Sequence, residues 1–305
     1  MTGESMDAYA MSEVVLKTRD RLARRLTGLP AWARWSVSAY PPGHYYSPLP
    51  DVAAARRGGV DSVPSRLPGI ETRLDAQLKL ARELAVFYPE MPFVEVRRPR
   101  SRYWLDNAWF AHGDGVALYA MLRHLKPKRY VEVGSGFSSA CALDTAERFL
   151  DDLQLTFFEP NPQRLHRLIR PSDNVRLVDR VPTRYTIRDF AEIEPGDVVF
   201  IDSSHVVKYG SEVNDLLLDV VPQLPVGVHV HIHDIFWPFT YPLNWVTHRK
   251  AWNEGYLLRA LLCNNASLRI NWFNNFLGHV ALDEVGRTMP AWRADPGSSI
   301  WLERV

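Results

Sequence analysis

The chain has 305 residues, with 46% hydrophobic and 23% charged residues, which excludes wholesale disorder and suits about one large domain or two small ones. Its 36 Lys and Arg against 35 Asp and Glu give a formal net charge of +1, so the basic footprint of nucleic-acid binding is missing, and no apolar run approaches the roughly 20 residues that span a bilayer. Two cysteines, Cys141 and Cys263, exclude a disulfide framework; with an N-terminus lacking an apolar signal core, they set the expectation of a cytoplasmic protein.

Residues 12–27 are predicted helical, from Ser12 as N-cap to the stop at Gly28 and Pro30, with Val15, Leu22 and Leu26 on one face. Residues 28–70 are rich in Pro and Gly (Pro41-Pro42-Gly43, Pro48-Leu49-Pro50) and read as a loop holding the polar-aromatic cluster His44-Tyr45-Tyr46. Helices are expected over 70–88 and 113–125. From residue 128 short apolar runs, Tyr130–Val133, Leu155–Phe158, Val175–Val178, Val198–Ile201 and Val228–Ile232, alternate with helical stretches at about 138–150, 162–169 and 206–221. Strands alternating with helices indicate βαβ units, a parallel sheet and a ligand beyond the carboxyl ends of the strands. An aromatic loop, Phe236 to Pro242, a helix over 252–263 and two closing strands, Leu268–Phe273 and Ile300–Glu303, complete the chain. The expected organisation is a helical N-terminal cap over 1–110, covering the acceptor and able to pair two chains as a homodimer, and an α/β domain over 111–305. Cys141 and Cys263 fall in helical stretches and read as buried thiols.

The most informative stretch is Tyr130-Val131-Glu132-Val133-Gly134-Ser135-Gly136-Phe137-Ser138-Ser139, a buried strand running through a Gly-x-Gly turn into a helix. Glycine there allows a sharp bend and close approach to a ligand. The second strand ends Phe157-Phe158-Glu159-Pro160, where a carboxylate can accept both hydroxyl protons of an adenosine ribose. The two features together point to an adenosine-containing cofactor. A dinucleotide fingerprint needs a third glycine where Ser139 stands, and Glu132 would repel a diphosphate but attract the ammonium of a methionine moiety. That favours S-adenosylmethionine over a nicotinamide cofactor.

The fourth predicted strand ends Asp202-Ser203-Ser204-His205 and the fifth ends His233-Asp234. Asp202 among apolar flanks is costly unless it faces a cleft or a partner. His229, His231 and His233 alternate with Val228, Val230 and Ile232, which puts the histidines on one face and Asp234 on the other. His229 and His231 read as core histidines, His233 and Asp234 as functional. Methyl transfer from a sulfonium is an in-line displacement with a neutral leaving group, so the protein must chiefly align the reactants and remove the acceptor's proton. Asp202 and Asp234 are expected as orienting or basic carboxylates and His205 or His233 as base. Tyr209 and Trp237 are candidates to touch substrate, and Glu254 to grip a cationic one. His44, Tyr45 and Tyr46 are candidates to cover it.

Glu132-Val133-Gly134-Ser135-Gly136, Glu159, Ile201-Asp202-Ser203-Ser204-His205 and His233-Asp234, taken in order, resemble the successive motifs of the class I S-adenosylmethionine-dependent methyltransferases. The likeness spans roughly residues 100–305 and leans toward a bacterial branch with Asp-x-x-His and His-Asp at the fourth and fifth strands, many of whose members act on sugars in natural-product pathways; Pro42 to Pro48 also resembles some members. It implies a doubly wound, mostly parallel, Rossmann-like sheet of seven strands with an antiparallel last strand. It further implies a cofactor lined by Glu132, Gly134, Gly136, Ser138, Glu159, Pro160, Asp202 and Ser203, with S-adenosylhomocysteine as product. Related sugar O-methyltransferases place three carboxylates at these strand ends for a divalent metal. His233 stands where one of them would be and magnesium prefers oxygen, so no metal ligands are expected. The expected acceptor is a small molecule, an aminosugar, aminoglycoside or glycoside, methylated at an amine or hydroxyl in antibiotic biosynthesis. The competing readings are an NAD(P)-dependent oxidoreductase and a non-catalytic partner that kept the fold.

Overall fold

The computed structural model describes residues 40, 42–57, 63–248 and 250–305, so the helix expected over 12–27 lies outside the described residues. The chain divides into two compact units, one formed by residues up to Val60 together with Pro242–Ala251, the other by Asp61–Tyr241 and Trp252–Val305.

In the first unit a short helix, Val52–Arg57, interrupts the segment read as loop and packs against a second, Leu243–Thr247. Asp51 starts the former by accepting the N–H groups of Ala53 and Ala54 at 2.8 and 3.0 Å. Tyr40, His44, Tyr45 and Tyr46 form a run of ring contacts with neighbouring centroids 4.2 to 5.1 Å apart.

The second unit is built on seven strands: β1 Arg129–Val133, β2 Gln154–Phe158, β3 Val175–Val178, β4 Val198–Ile201, β5 His229–Ile232, β6 Leu268–Phe273 and β7 Ile300–Arg304. Their order is β3-β2-β1-β4-β5-β7-β6. β1 through β5 pair in parallel, and β7 runs antiparallel between β5 and β6. This is a doubly wound, mostly parallel, Rossmann-like arrangement, with the chain reversing between β1 and β4, where doubly wound sheets bind their ligands.

Side chains alternate across the sheet, so each strand feeds two cores. One face gathers Tyr130, Phe157, Phe200 and Trp301 under three helices, α1 Leu74–Ala85, α2 His112–Leu125 and α3 Phe137–Phe149. The other gathers Val131, Val133, Val199, Ile201, Val230 and Ile232 against Leu216, Leu217 and Leu258, the last on α4, Glu254–Leu262. Residues 63–110 pack into this same unit: Leu84, Phe93, Tyr103 and Leu105 are all in the first core.

Several expected helices are shorter than the pattern implied. Over 162–169 only one turn forms, Leu165–Arg167, because Pro160 and Pro162 precede it and Pro171 follows. The stretch over 206–221 begins only at Glu212, capped by Ser211, and widens into a π turn at Asp215–Val220. A helix α5, Asn274–Val280, and two short ones, Leu282–Thr288 and Pro290–Ala294, follow β6 without having been expected. Cys141 is buried as expected, but Cys263 caps the end of α4 and is exposed. Among the described residues no helix is long and apolar enough to cross a membrane.

Candidate functional site

Two groups of polar side chains lie at the carboxyl ends of the strands. At the first, β1 runs into Gly134-Ser135-Gly136 and then α3. Gly134 has φ +96°, and a Cβ there would lie 1.9 Å from the carbonyl oxygen of Asp202. Only glycine lets the β1 tip run this close to β4, where the Asp202 N–H donates to the Val133 carbonyl at 2.9 Å. Glu132 is fully buried beneath the turn. It accepts from the hydroxyls of Ser138 at 2.7 Å, Ser139 at 2.8 Å and Tyr130 at 2.9 Å. Burial nevertheless pushes its carboxyl up to about 8. Ser139 also accepts the N–H of Gly136 at 3.0 Å, an amide that a dinucleotide loop would turn to the pyrophosphate. Glu132 and Ser138, expected at the cofactor, are therefore spent on each other under the loop. Ser135 and Glu159 stay half-open and Pro160 exposed. Ser135 donates to Glu159 at 2.9 Å, and the Asn161 N–H fixes the other Glu159 oxygen at 2.8 Å.

The second group alternates carboxylates and imidazoles. His205 is buried, with Nδ1 2.9 Å from Glu254 and Nε2 3.4 Å from Asp202. His233 is also buried, with Nδ1 3.3 Å from the same Asp202 oxygen and Nε2 3.3 Å from Asp114. Asp234 places Oδ2 3.6 Å from His205 and 3.8 Å from His233, and its Oδ1 accepts from Ser298 at 3.0 Å. Burial alone would discharge both rings; the carboxylates outweigh it. Asp202 and Glu254 push His205 up to about 10, and Asp234, Asp202 and Asp114 hold His233 well above its ordinary value. Burial would also raise Asp202, but the two imidazoliums hold it far below the usual carboxylate range. Glu254 is raised by its burial, and its Oε1 is enclosed without a partner.

His205 and Asp234 both adopt left-handed backbone, φ +58° and +57°, at about 1–2 kcal/mol each. Such strain concentrates where side-chain placement matters. At Asp234 it also corrects the expectation of opposite faces: the chain turns back at the strand end and brings Asp234 beside His233.

Three expectations are corrected here, those for Trp237, Glu254 and the two histidines. Trp237 does not line a cleft mouth; it is buried against Phe273 and Phe276 and donates its indole N–H to the Pro64 carbonyl. Glu254 is a buried partner of His205, so it cannot grip substrate directly. The Tyr209 ring stands fully in solvent. Neither histidine has a free ring nitrogen, since each nitrogen faces a carboxylate. Ser203 is next to Asp202 with its hydroxyl buried and unpartnered. His44, Tyr45 and Tyr46 belong to the other compact unit. His231 is a core histidine, stacked 4.1 Å from both Phe200 and Trp301, its neighbours in register on β4 and β7. Sequence reasoning missed Asp114 and Ser298. An acid in the first turn of a helix is the usual answer to the helix dipole, so Asp114 carried no signal of its own. Among the described residues no group of three or more His, Cys, Asp or Glu side chains is placed to hold a metal ion.

Residues 131–235 match the family described as "Methyltransferase domain". An uncharacterized protein of Archaeoglobus fulgidus is 32% identical over 152 residues, covering 46% of this chain and 67% of its own. Solved structures with a related course include an S-adenosylhomocysteine-bound methyltransferase of Podospora anserina, 13% identical, covering 83% of this chain and 93% of that one at a TM-score of 0.40. Another is an O-methyltransferase of tomaymycin synthesis from Streptomyces achromogenes, in complex with S-adenosylmethionine, 15% identical, covering 64% and 80% at 0.37. Likeness at this level carries no argument about substrate or chemistry.

Proposed function

The chain belongs to one family with the Archaeoglobus protein and carries a methyltransferase domain over residues 131–235, and on that premise we propose that it methylates an amine or hydroxyl of a small molecule, an aminosugar, aminoglycoside or glycoside of natural-product biosynthesis. The observation that carries the proposal is the pairing of the two groups: a glycine turn bonded to a half-open glutamate at β1 and β2, beside a ring of acids and imidazoles at β4 and β5. Ser135, Gly136, Glu159 and Pro160 suit an adenosine ribose, while Ser139 takes the amide that a pyrophosphate would need. S-adenosylmethionine, when bound, supplies an electrophilic methyl group on a sulfonium.

The chain's own task is then to align the acceptor and take its proton. His205 and His233 each meet carboxylates at both nitrogens, so each is held as a cation without a lone pair to offer. The proton acceptor is instead Asp234, whose Oδ2 lies beyond hydrogen-bond distance of either ring. Four carboxylates, Asp114, Asp202, Asp234 and Glu254, surround two imidazoliums, and this excess of negative charge favours a cationic amine over a neutral hydroxyl. The test is incubation with methyl-labelled S-adenosylmethionine and a panel of aminoglycosides, glycosides and phenols, with and without a chelator. Label is expected on an amine-bearing sugar and to be indifferent to the chelator. Label on none of the panel would contradict the proposal.

A further inference from the structure

We propose that Asp114, in the first turn of α2, is a positioning residue of the transfer site: it fixes the His233 ring directly and the Asp234 carboxylate through Ser298. The inference rests on the functional reading above and extends it to a residue outside every strand-end motif.

Asp114 is buried, and every hydrogen-bond partner of its side chain belongs to another element. Its Oδ1 accepts from Asn274 Nδ2 at 2.9 Å, the N–H groups of Ser298 at 3.0 Å and Ser299 at 2.9 Å, and the Ser299 hydroxyl at 2.6 Å. Its Oδ2 faces His233 Nε2 at 3.3 Å and the Ser298 N–H at 3.1 Å. A carboxylate placed only to cap a helix would bond that helix's own amides. Here it bonds the β5 tip, α5 and the approach to β7 instead.

The surrounding backbone closes around it. A Cβ at Gly297 would lie 2.4 Å from the Asp114 carboxyl carbon, and one at Gly113 would lie 2.2 Å from the Pro296 carbonyl oxygen. Gly113 N–H donates to the Asp295 carbonyl at 2.8 Å. The 295–299 loop is thus seated on the first turn of α2. Ser298, held there by its N–H, turns its hydroxyl to Asp234. With Nε2 claimed by Asp114, the His233 ring can present only Nδ1 to Asp202 and Asp234. The groups facing His233 are Asp114 from α2, Asp202 from the β4 tip, His231 from β5, Asp234 from the turn after it, and the Phe110 ring 5.0 Å away.

The test follows the ring nitrogens of His233 by 15N NMR across a pH titration of the full chain with S-adenosylhomocysteine added. Wild type is expected to stay protonated well above the ordinary histidine range. In Asp114→Asn the proton affinity of His233 should fall about tenfold or more, with nucleoside affinity unchanged. Label transfer should slow in kcat by about tenfold or more with KM for S-adenosylmethionine held. Asp114→Glu should return the charge, and so the titration, while transfer stays slow because the carboxylate is displaced. Ser298→Ala should leave the His233 titration alone and slow transfer through Asp234; if Asp114→Asn does not fold, this variant and Asp114→Glu decide. A His233 titration in Asp114→Asn identical to wild type, or full-rate transfer in Ser298→Ala, overturns the inference. Failure of wild type to bind S-adenosylhomocysteine refutes the functional reading instead, and the titration still judges Asp114.

Discussion

The two polar groups at the strand tips are built in opposite ways. At β1 and β2 the participants are near neighbours in the chain, Tyr130 through Asn161, and the chemistry is hydroxyls and amides around one buried and one half-open glutamate. At β4 and β5 the participants run from Asp114 to Ser299, and the chemistry is charge against charge. The first group depends on backbone space and the second on ionisation. Each should therefore break under a different kind of substitution.

The largest effect should come from Gly134→Ala. The added carbon meets a backbone oxygen that cannot rotate away, in a left-handed conformation that alanine resists. A loss of about 3 kcal/mol or more is expected in urea unfolding; a loss near zero would show that the turn has slack. Next comes Asp202→Asn, which removes the carboxylate shared by both imidazoliums while leaving its shape. Label transfer should drop about a hundredfold, equivalent to about 2.7 kcal/mol in the barrier, and the melting temperature should fall as well, because two buried imidazoliums lose the carboxylate they share.

Glu254→Gln should act more gently, through pH. The folded His205 holds its proton up to about 10, above its ordinary 6.5, so its contribution to stability is complete below 6.5 and is lost as pH rises toward 10. In the variant that decline should begin at the same pH but end sooner and be smaller, seen as a smaller total fall of the urea midpoint above 6.5. The smallest change is expected from His231→Phe, which breaks no hydrogen bond with either group. The ring is buried with both nitrogens unpartnered and its proton affinity is well below the ordinary value of 6.5. The unfolded chain therefore binds a proton that the native state refuses, and stability falls as pH drops below 6.5. The phenylalanine variant should gain about 1 kcal/mol and lose that acid-side decline.

The same contrast explains what the sequence disclosed. β3, β4 and β6 were legible to the residue because β4 is a continuous apolar run and β3 and β6 are short stretches rich in β-branched and aromatic residues between turns. The glycine turn and Glu159 were legible because their geometry is local. Trp237 and Glu254 were misread because loop and helix-start positions say nothing of which way a side chain is finally buried. Asp114 was invisible because its partners, at His233, Asn274, Ser298 and Ser299, are joined to it only by the fold.

The central claim is that the crevice over β1 and β2 holds a nucleoside by the half-open Glu159. Calorimetry of S-adenosylhomocysteine with wild type and Glu159→Ala tests it most directly. Wild type should bind, and the variant should bind about tenfold more weakly or worse, the loss of charged hydrogen bonds to the ribose. Equal affinity in the two proteins, or no binding to wild type, would contradict the account.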